Sequence, residues 1–129
     1  MSIFHDQMEF LQAGDVPVGT HEAEVLASNL IFEEFEEFST EPAYIDDNYA
    51  ADSRNINTVK EALDLMYVTA QYLNVTIGPD KAKECWDALH ANNMSKCTNG
   101  KLLKREDGKV LKPEGYKKLD LSTVLCDNT

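Results

Sequence analysis

Leu30-Ile31-Phe32-Glu33-Glu34-Phe35-Glu36-Glu37-Phe38 decides how this chain is read. On a helix at about 100° per residue, Glu33, Glu34 and Glu37 lie within roughly 100° of one another. The same arc carries Ala23, Leu26, Ala27, Leu30 and Phe38, whereas Glu36 points the other way, toward Glu22 and Asn29. Three carboxylates therefore fall on the stripe that a soluble helix turns to its core. A carboxylate withdrawn from water must be paired, protonated or bound to a cation. No Lys or Arg occurs between Glu22 and Glu41, which excludes ion pairs within this helix and points to a metal. A second helical stretch, Glu61-Ala62-Leu63-Asp64, follows a polar interval. Its two acids, at i and i+3, are about 60° apart on the wheel. Two such helices packed antiparallel would gather four or five carboxylates in one cleft. Hard oxygen ligands in that number suit Mg²⁺ or Mn²⁺ rather than zinc.

The composition bounds the rest. The 129 residues, 43% hydrophobic, fit one domain with one modest core. A net charge of −11 excludes a nucleic-acid polymer or an acidic membrane surface as the main partner. The charge is unevenly divided. Residues 1–95 hold 18 acidic and 4 basic side chains, net −14, and residues 96–129 hold 8 basic and 5 acidic ones, net +3. An acidic helical body of about 2–95 thus carries a basic segment of about 96–121, with acid available for metal and base for phosphate. Cys85, Cys97 and Cys126 are odd in number and match no metal spacing, so they read as free thiols. No signal-peptide pattern and no apolar run of membrane-spanning length are present. A cytoplasmic protein is expected.

Along the chain, residues 2–12 read as a short helix capped by Ser2 and ended by Gly14, Pro17 and Gly19. Thr20 or Asp15 opens the next helix, about 21–40, and Pro42 stops it. The polar text from Glu41 to Asn57 reads as a loop with a turn of helix near Tyr44. Asp46 and Asp47 in it read as turn acids. Asn57 or Thr58 is expected to cap a third helix, about 58–76. Its apolar positions Val59, Ala62, Leu63, Met66, Ala70 and Leu73 form a stripe wider than one core face needs, which predicts a dimer. Gly78 and Pro79 open a fourth helix, about 80–93, with Ala82, Cys85, Trp86 and Leu89 expected on its buried side. Gly100 and Gly108 then bracket a basic run. Asp107-Gly108 is a turn signal, compatible with a small hairpin or a phosphate-facing loop. The residues from about Ser122 read as frayed.

The pattern Glu33-Glu34-x-x-Glu37, followed after 23 intervening residues by Glu61-x-x-Asp64, resembles the signature of the all-α nucleoside triphosphate pyrophosphohydrolases. That superfamily includes MazG, the dimeric dUTPases and the phosphoribosyl-ATP pyrophosphohydrolases. Downstream, His90-Ala91-Asn92-Asn93-Met94-Ser95-Lys96 and Arg105-Glu106-Asp107-Gly108-Lys109-Val110-Leu111-Lys112-Pro113 resemble the C-terminal segment of small phosphoribosyl-ATP-pyrophosphohydrolase-like proteins, many of them phage-encoded. Together the matches span roughly residues 26–120. The resemblance implies an all-α fold with a four-helix-bundle core and an irregular or hairpin basic tail, assembled as a homodimer or homotetramer. It implies hydrolysis of a nucleoside triphosphate or related nucleotide to the monophosphate and pyrophosphate, with Mg²⁺ or Mn²⁺ as cofactor.

Carried over position by position, the resemblance makes Glu34, Glu37, Glu61 and Asp64 metal ligands and leaves Glu33 to orient or deprotonate the attacking water. Glu33 and Glu34 lie on one face, and their roles can be exchanged. Asn93 and Lys96 match residues that contact phosphate or sugar, Lys109 and Lys112 are further phosphate candidates, and Phe4-His5 matches a pair that lies near the substrate base. One departure is the absence of a basic residue just before the first motif glutamate, where this chain reads Leu26-Ala27-Ser28-Asn29-Leu30-Ile31-Phe32. The rival reading is a non-catalytic acidic helical bundle that binds a protein partner or divalent metal. It accounts for the net charge but not for glutamates on an apolar face.

Overall fold

The computed structural model describes residues 2–41 and 51–126, and the chain is mostly helical with a small three-stranded sheet. Contacts divide it into two compact units, Met1–Asp80 and Lys81–Thr129.

The first unit is built from α1 (Ile3–Ala13), α2 (His21–Ser39) and α3 (Ala51–Thr76). Ser2 and Thr20, both in extended conformation, cap α1 and α2 by accepting the amides of His5 and Ala23. Both α1 and α2 pack on α3. Leu11, Ala23, Ala27 and Val75 form the core, with Met8 and Val16 against it. Small residues on α2 allow close approach. The α1–α3 seam is polar at its heart. Asn74 Nδ2 donates to Phe4 O (2.9 Å) and to Gln7 Oε1 (2.8 Å), and Gln7 Nε2 donates to Gln71 Oε1 (3.3 Å). All three side chains are buried, and hydrogen bonding of this kind is what makes such burial tolerable.

Helix α3 is already formed at Ala51, ahead of Asn57 and Thr58. The residues before Asn57 are polar, and polarity read as a loop. Yet no Gly or Pro lies between Pro42 and Gly78 to break a helix. The expected turn near Tyr44, together with Asp46 and Asp47, lies outside the described residues. Val59, Leu63 and Met66 of the wide apolar stripe are exposed, whereas Ala70 is buried.

Gly78, at φ +83°, separates α3 from α4 (Gly78–Met94). Of the residues expected on the buried side of α4, Ala82 is buried and Cys85 half-buried. Trp86 and Leu89 are exposed. In the second unit the basic segment forms strands β1 (Cys97–Thr98), β2 (Lys101–Lys104) and β3 (Val110–Leu111), antiparallel in the order β1-β2-β3. Of the two readings offered for this segment, the hairpin is the one formed. Asn99-Gly100, both at positive φ, makes the two-residue turn between β1 and β2. Gly108, φ +88°, sits in the β2–β3 loop, where Arg105 N donates to Lys109 O and Gly108 N to Arg105 O. Ser122–Leu125 is a short helix, α5, not a frayed end, and Asp120 Oδ1 accepts the amide of Ser122 at its start. Among the described residues, no helix is long and apolar enough to cross a membrane.

Candidate metal centre

Packing of α2 on α3 joins two sequence motifs into one cluster. Glu34 lies at the centre of the buried arc of α2, four residues beyond Leu30 and seven beyond the fully buried Ala27. Glu61 and Asp64 share a face of α3. Carboxylate oxygens of Glu34, Glu61 and Asp64 lie within 4.8 Å of one another, and all three residues are half-buried. Glu37 lies near enough to act on the carboxyls of both Glu34 and Glu61. Three of the four residues matched to metal ligands therefore meet, with Glu37 beside them. Glu33 is exposed and outside this group.

The helical wheel overstated the burial of these acids. Only Glu34 is half-buried, whereas Glu33, Glu37 and Leu26 on the same arc are exposed. The reason is that α2 is packed chiefly along α3, so its covered face is narrower than a helix surrounded by neighbours would have.

Burial pushes the Glu34 carboxyl up from 4.5 to about 7, with hydrogen bonding and negative charge from Glu37 and the charges of Asp64 and Glu61 adding to it. Glu61 is also raised, first by burial and then by Glu37 and Asp64, with Lys60 acting against them. As carboxylates, Glu34 Oε2 and Glu61 Oε2 are buried and find no hydrogen-bond donor, and neither does Thr58 Oγ1 one turn before Glu61.

The cluster has a basic neighbour that the charge-free stretch of α2 did not reveal. Lys60 Nζ donates to Asp64 Oδ2 at 2.7 Å and lies 3.8 Å from Glu61 Oε1, while its side chain stays 67% exposed. One ammonium against four carboxylates leaves the negative charge in excess. The donor set is entirely oxygen, with buried, donor-starved atoms on two helices, a set that could hold a hard divalent cation.

The His5 ring is held between Ser2 Oγ (2.6 Å from Nδ1) and Asp80 Oδ1 (2.8 Å from Nε2). Its neighbours Phe4 and Gln7 bond to Asn74 and Gln71. Asn74 is ten residues beyond Asp64, about 15 Å along the helix axis, so one chain does not bring His5 to the carboxylates. Asn93, Lys96, Lys109 and Lys112 belong to the second unit. There Lys96 Nζ donates to Asn93 Oδ1 at 3.2 Å, and the Lys96 and Lys112 ammonium groups lie 5.8 and 5.5 Å from the ring centroid of Tyr116. The Tyr116 hydroxyl donates to Asn92 Oδ1, and Asn92 Nδ2 donates to Lys117 O, each at 2.8 Å. Lys109 stands apart at the hairpin, where its amide donates to Asp107 Oδ1. Sequence reasoning missed Lys60, Thr58, Asn92 and Tyr116. Only Lys60 carried a signal, its i,i+4 spacing to Asp64. The chain matches no protein-family model, and no curated protein aligns with it significantly.

Proposed function

We propose that this chain is a Mg²⁺-dependent nucleoside triphosphate pyrophosphohydrolase of the all-α type, with a four-helix-bundle core. The observation that carries this reading is the meeting of Glu34, Glu37, Glu61 and Asp64 at the α2–α3 interface, with buried carboxylate oxygens that no donor satisfies. An acidic bundle serving only as a charged surface has no need to hold carboxylates there against desolvation and mutual repulsion.

In this mechanism Glu34, Glu37, Glu61 and Asp64 would hold the divalent cation, Mg²⁺ or Mn²⁺, which when bound would supply neutralisation of the phosphate oxygens that otherwise repel an attacking nucleophile. Glu33, exposed on the flank of the same helix face, accepts a proton from the attacking water. The α–β anhydride bond breaks, and nucleoside monophosphate and pyrophosphate leave. On the second unit, Lys96 and Lys112 are suited to phosphate oxygens, since no carboxylate of the described residues pairs with either.

Assembly of copies belongs to the same reading. Ile56, Val59, Leu63, Met66 and Tyr67 are exposed on α3, and Ile3, Leu63, Met66, Tyr67 and Ala70 line an apolar cavity of about 290 Å³. A homodimer, or a tetramer built from two, would cover them.

The test is a panel of ribo- and deoxynucleoside triphosphates assayed for pyrophosphate with Mg²⁺, with Mn²⁺ and with chelator. Equal amounts of pyrophosphate and monophosphate, abolished by chelator, are expected. Absence of release from every triphosphate, by folded protein in saturating Mg²⁺, would return the reading to a non-catalytic bundle.

A further inference from the structure

We infer that Lys60 is the resident counter-ion of the carboxylate centre, and that an arriving divalent cation displaces it toward the phosphate chain of the substrate. The inference rests on the metal-dependent reading above and adds a positioning residue to it.

Lys60 touches the two α3 ligands from one side, at 2.7 Å from Asp64 Oδ2 and 3.8 Å from Glu61 Oε1. The centre offers nothing else basic among the described residues. A divalent cation held by Asp64 would place its two positive charges within a few ångströms of this ammonium, and both would draw on the same carboxylate. The ammonium yields because its position is weakly held. It ends a flexible four-carbon stem, its side chain is 67% exposed, and its partner Asp64 is itself 36% exposed. The cation, in contrast, gains the buried oxygens of Glu34 and Glu61 that Lys60 leaves without a donor.

Displaced from Asp64, the ammonium stays within one side-chain length of the cation. The anion that follows the cation into this centre, a polyphosphate, is the natural partner for a free point charge there. Lys60 therefore opposes the metal when no substrate is present and favours the metal–polyphosphate complex. Its removal should move the two affinities in opposite directions, a signature that an ordinary i,i+4 surface pair does not have.

The experiment compares the wild type with Lys60→Met and Lys60→Arg by isothermal calorimetry, first with Mn²⁺ alone and then with Mn²⁺–tripolyphosphate. Thermal midpoints show that each variant is folded. Lys60→Met should bind Mn²⁺ about three- to tenfold more tightly and Mn²⁺–tripolyphosphate less tightly, whereas Lys60→Arg should stay close to wild type in both. Unchanged Mn²⁺ affinity in Lys60→Met, or tighter Mn²⁺ without weaker tripolyphosphate, overturns the role of Lys60 and leaves the metal centre standing. A folded wild type that binds no Mn²⁺ overturns the metal reading itself, and the role of Lys60 with it.

Discussion

Replacing Glu34 by Gln should stabilise the metal-free protein, by an amount that grows as pH rises above the ordinary glutamate value and is complete where the native Glu34 ionises. Glu34 is raised from 4.5 to about 7 by burial and by the charges of Glu37, Asp64 and Glu61. Between those values the native state binds a proton that the unfolded chain has released, so stability falls as pH rises through this window. At about 1.36 kcal/mol per unit the ceiling is roughly 3.4 kcal/mol. Glu34 is only half-buried, and screening by solvent reduces this to about 1–2 kcal/mol. Glutamine keeps the shape and removes the charge. In EDTA at pH 8, E34Q should unfold at a free energy about 1–2 kcal/mol higher than wild type, a rise of roughly 4–8 °C in Tm for a chain of this size. Near pH 4.5 the two should converge. Urea denaturation at the two pH values reads this directly. Equal stabilisation at both would mean that Gln acts by packing rather than by charge. Loss of stability at pH 8 would refute the repulsion argument altogether.

Asp64→Asn should abolish pyrophosphate release while leaving Tm within a few degrees of wild type, and an unfolded or fully active variant would remove Asp64 from the site. Asn74→Ala strips Phe4 O and Gln7 Oε1 of their donor in the buried α1–α3 seam, and should cost about 2–4 kcal/mol in denaturant titration. Gly108→Ala, at φ +88° with open space around its Cβ position, should loosen only the β2–β3 hairpin, by about 1 kcal/mol, seen as faster amide exchange at Arg105 and Gly108 with the helices unaffected. Light scattering at micromolar concentration should return a dimer or tetramer, and a monomer would contradict the assembly argued from exposed Leu63 and Met66.

Much of the helical layout was legible because its signals are local. Ser2 and Thr20 are capping side chains in sequence and in structure, and Gly78 with Pro79 marks a break that any reading of backbone preferences would place. The acidic centre was legible for a different reason. Helical periodicity alone put Glu34 and the Glu61–Asp64 pair on packed faces, and two such faces must meet. What failed required knowledge of neighbours. Trp86 was expected inside because a large apolar side chain on a helix stripe usually is, and whether anything covers that stripe is not written in α4 itself. The first turns of α3 were hidden because Asp52, Ser53, Arg54 and Asn55 are polar, and a polar run without an apolar stripe reads as loop. The seam of Gln7, Gln71 and Asn74 was invisible for the opposite reason. Polar side chains read as surface, and only pairing across about 65 residues of chain makes them interior. Lys60 is invisible from the glutamate run of α2 because it belongs to α3, one residue before Glu61.

The central claim is that Glu34, Glu37, Glu61 and Asp64 together hold a divalent cation. Anomalous diffraction from crystals grown with Mn²⁺ tests it most directly. The account predicts a peak at ligand distance, about 2.1–2.4 Å, from oxygens of Glu34, Glu61 and Asp64, with Glu37 beside it and Lys60 turned away from Asp64. Well-ordered α2 and α3 at millimolar Mn²⁺ with no peak between them, or with Lys60 still on Asp64 and the metal elsewhere, would contradict it.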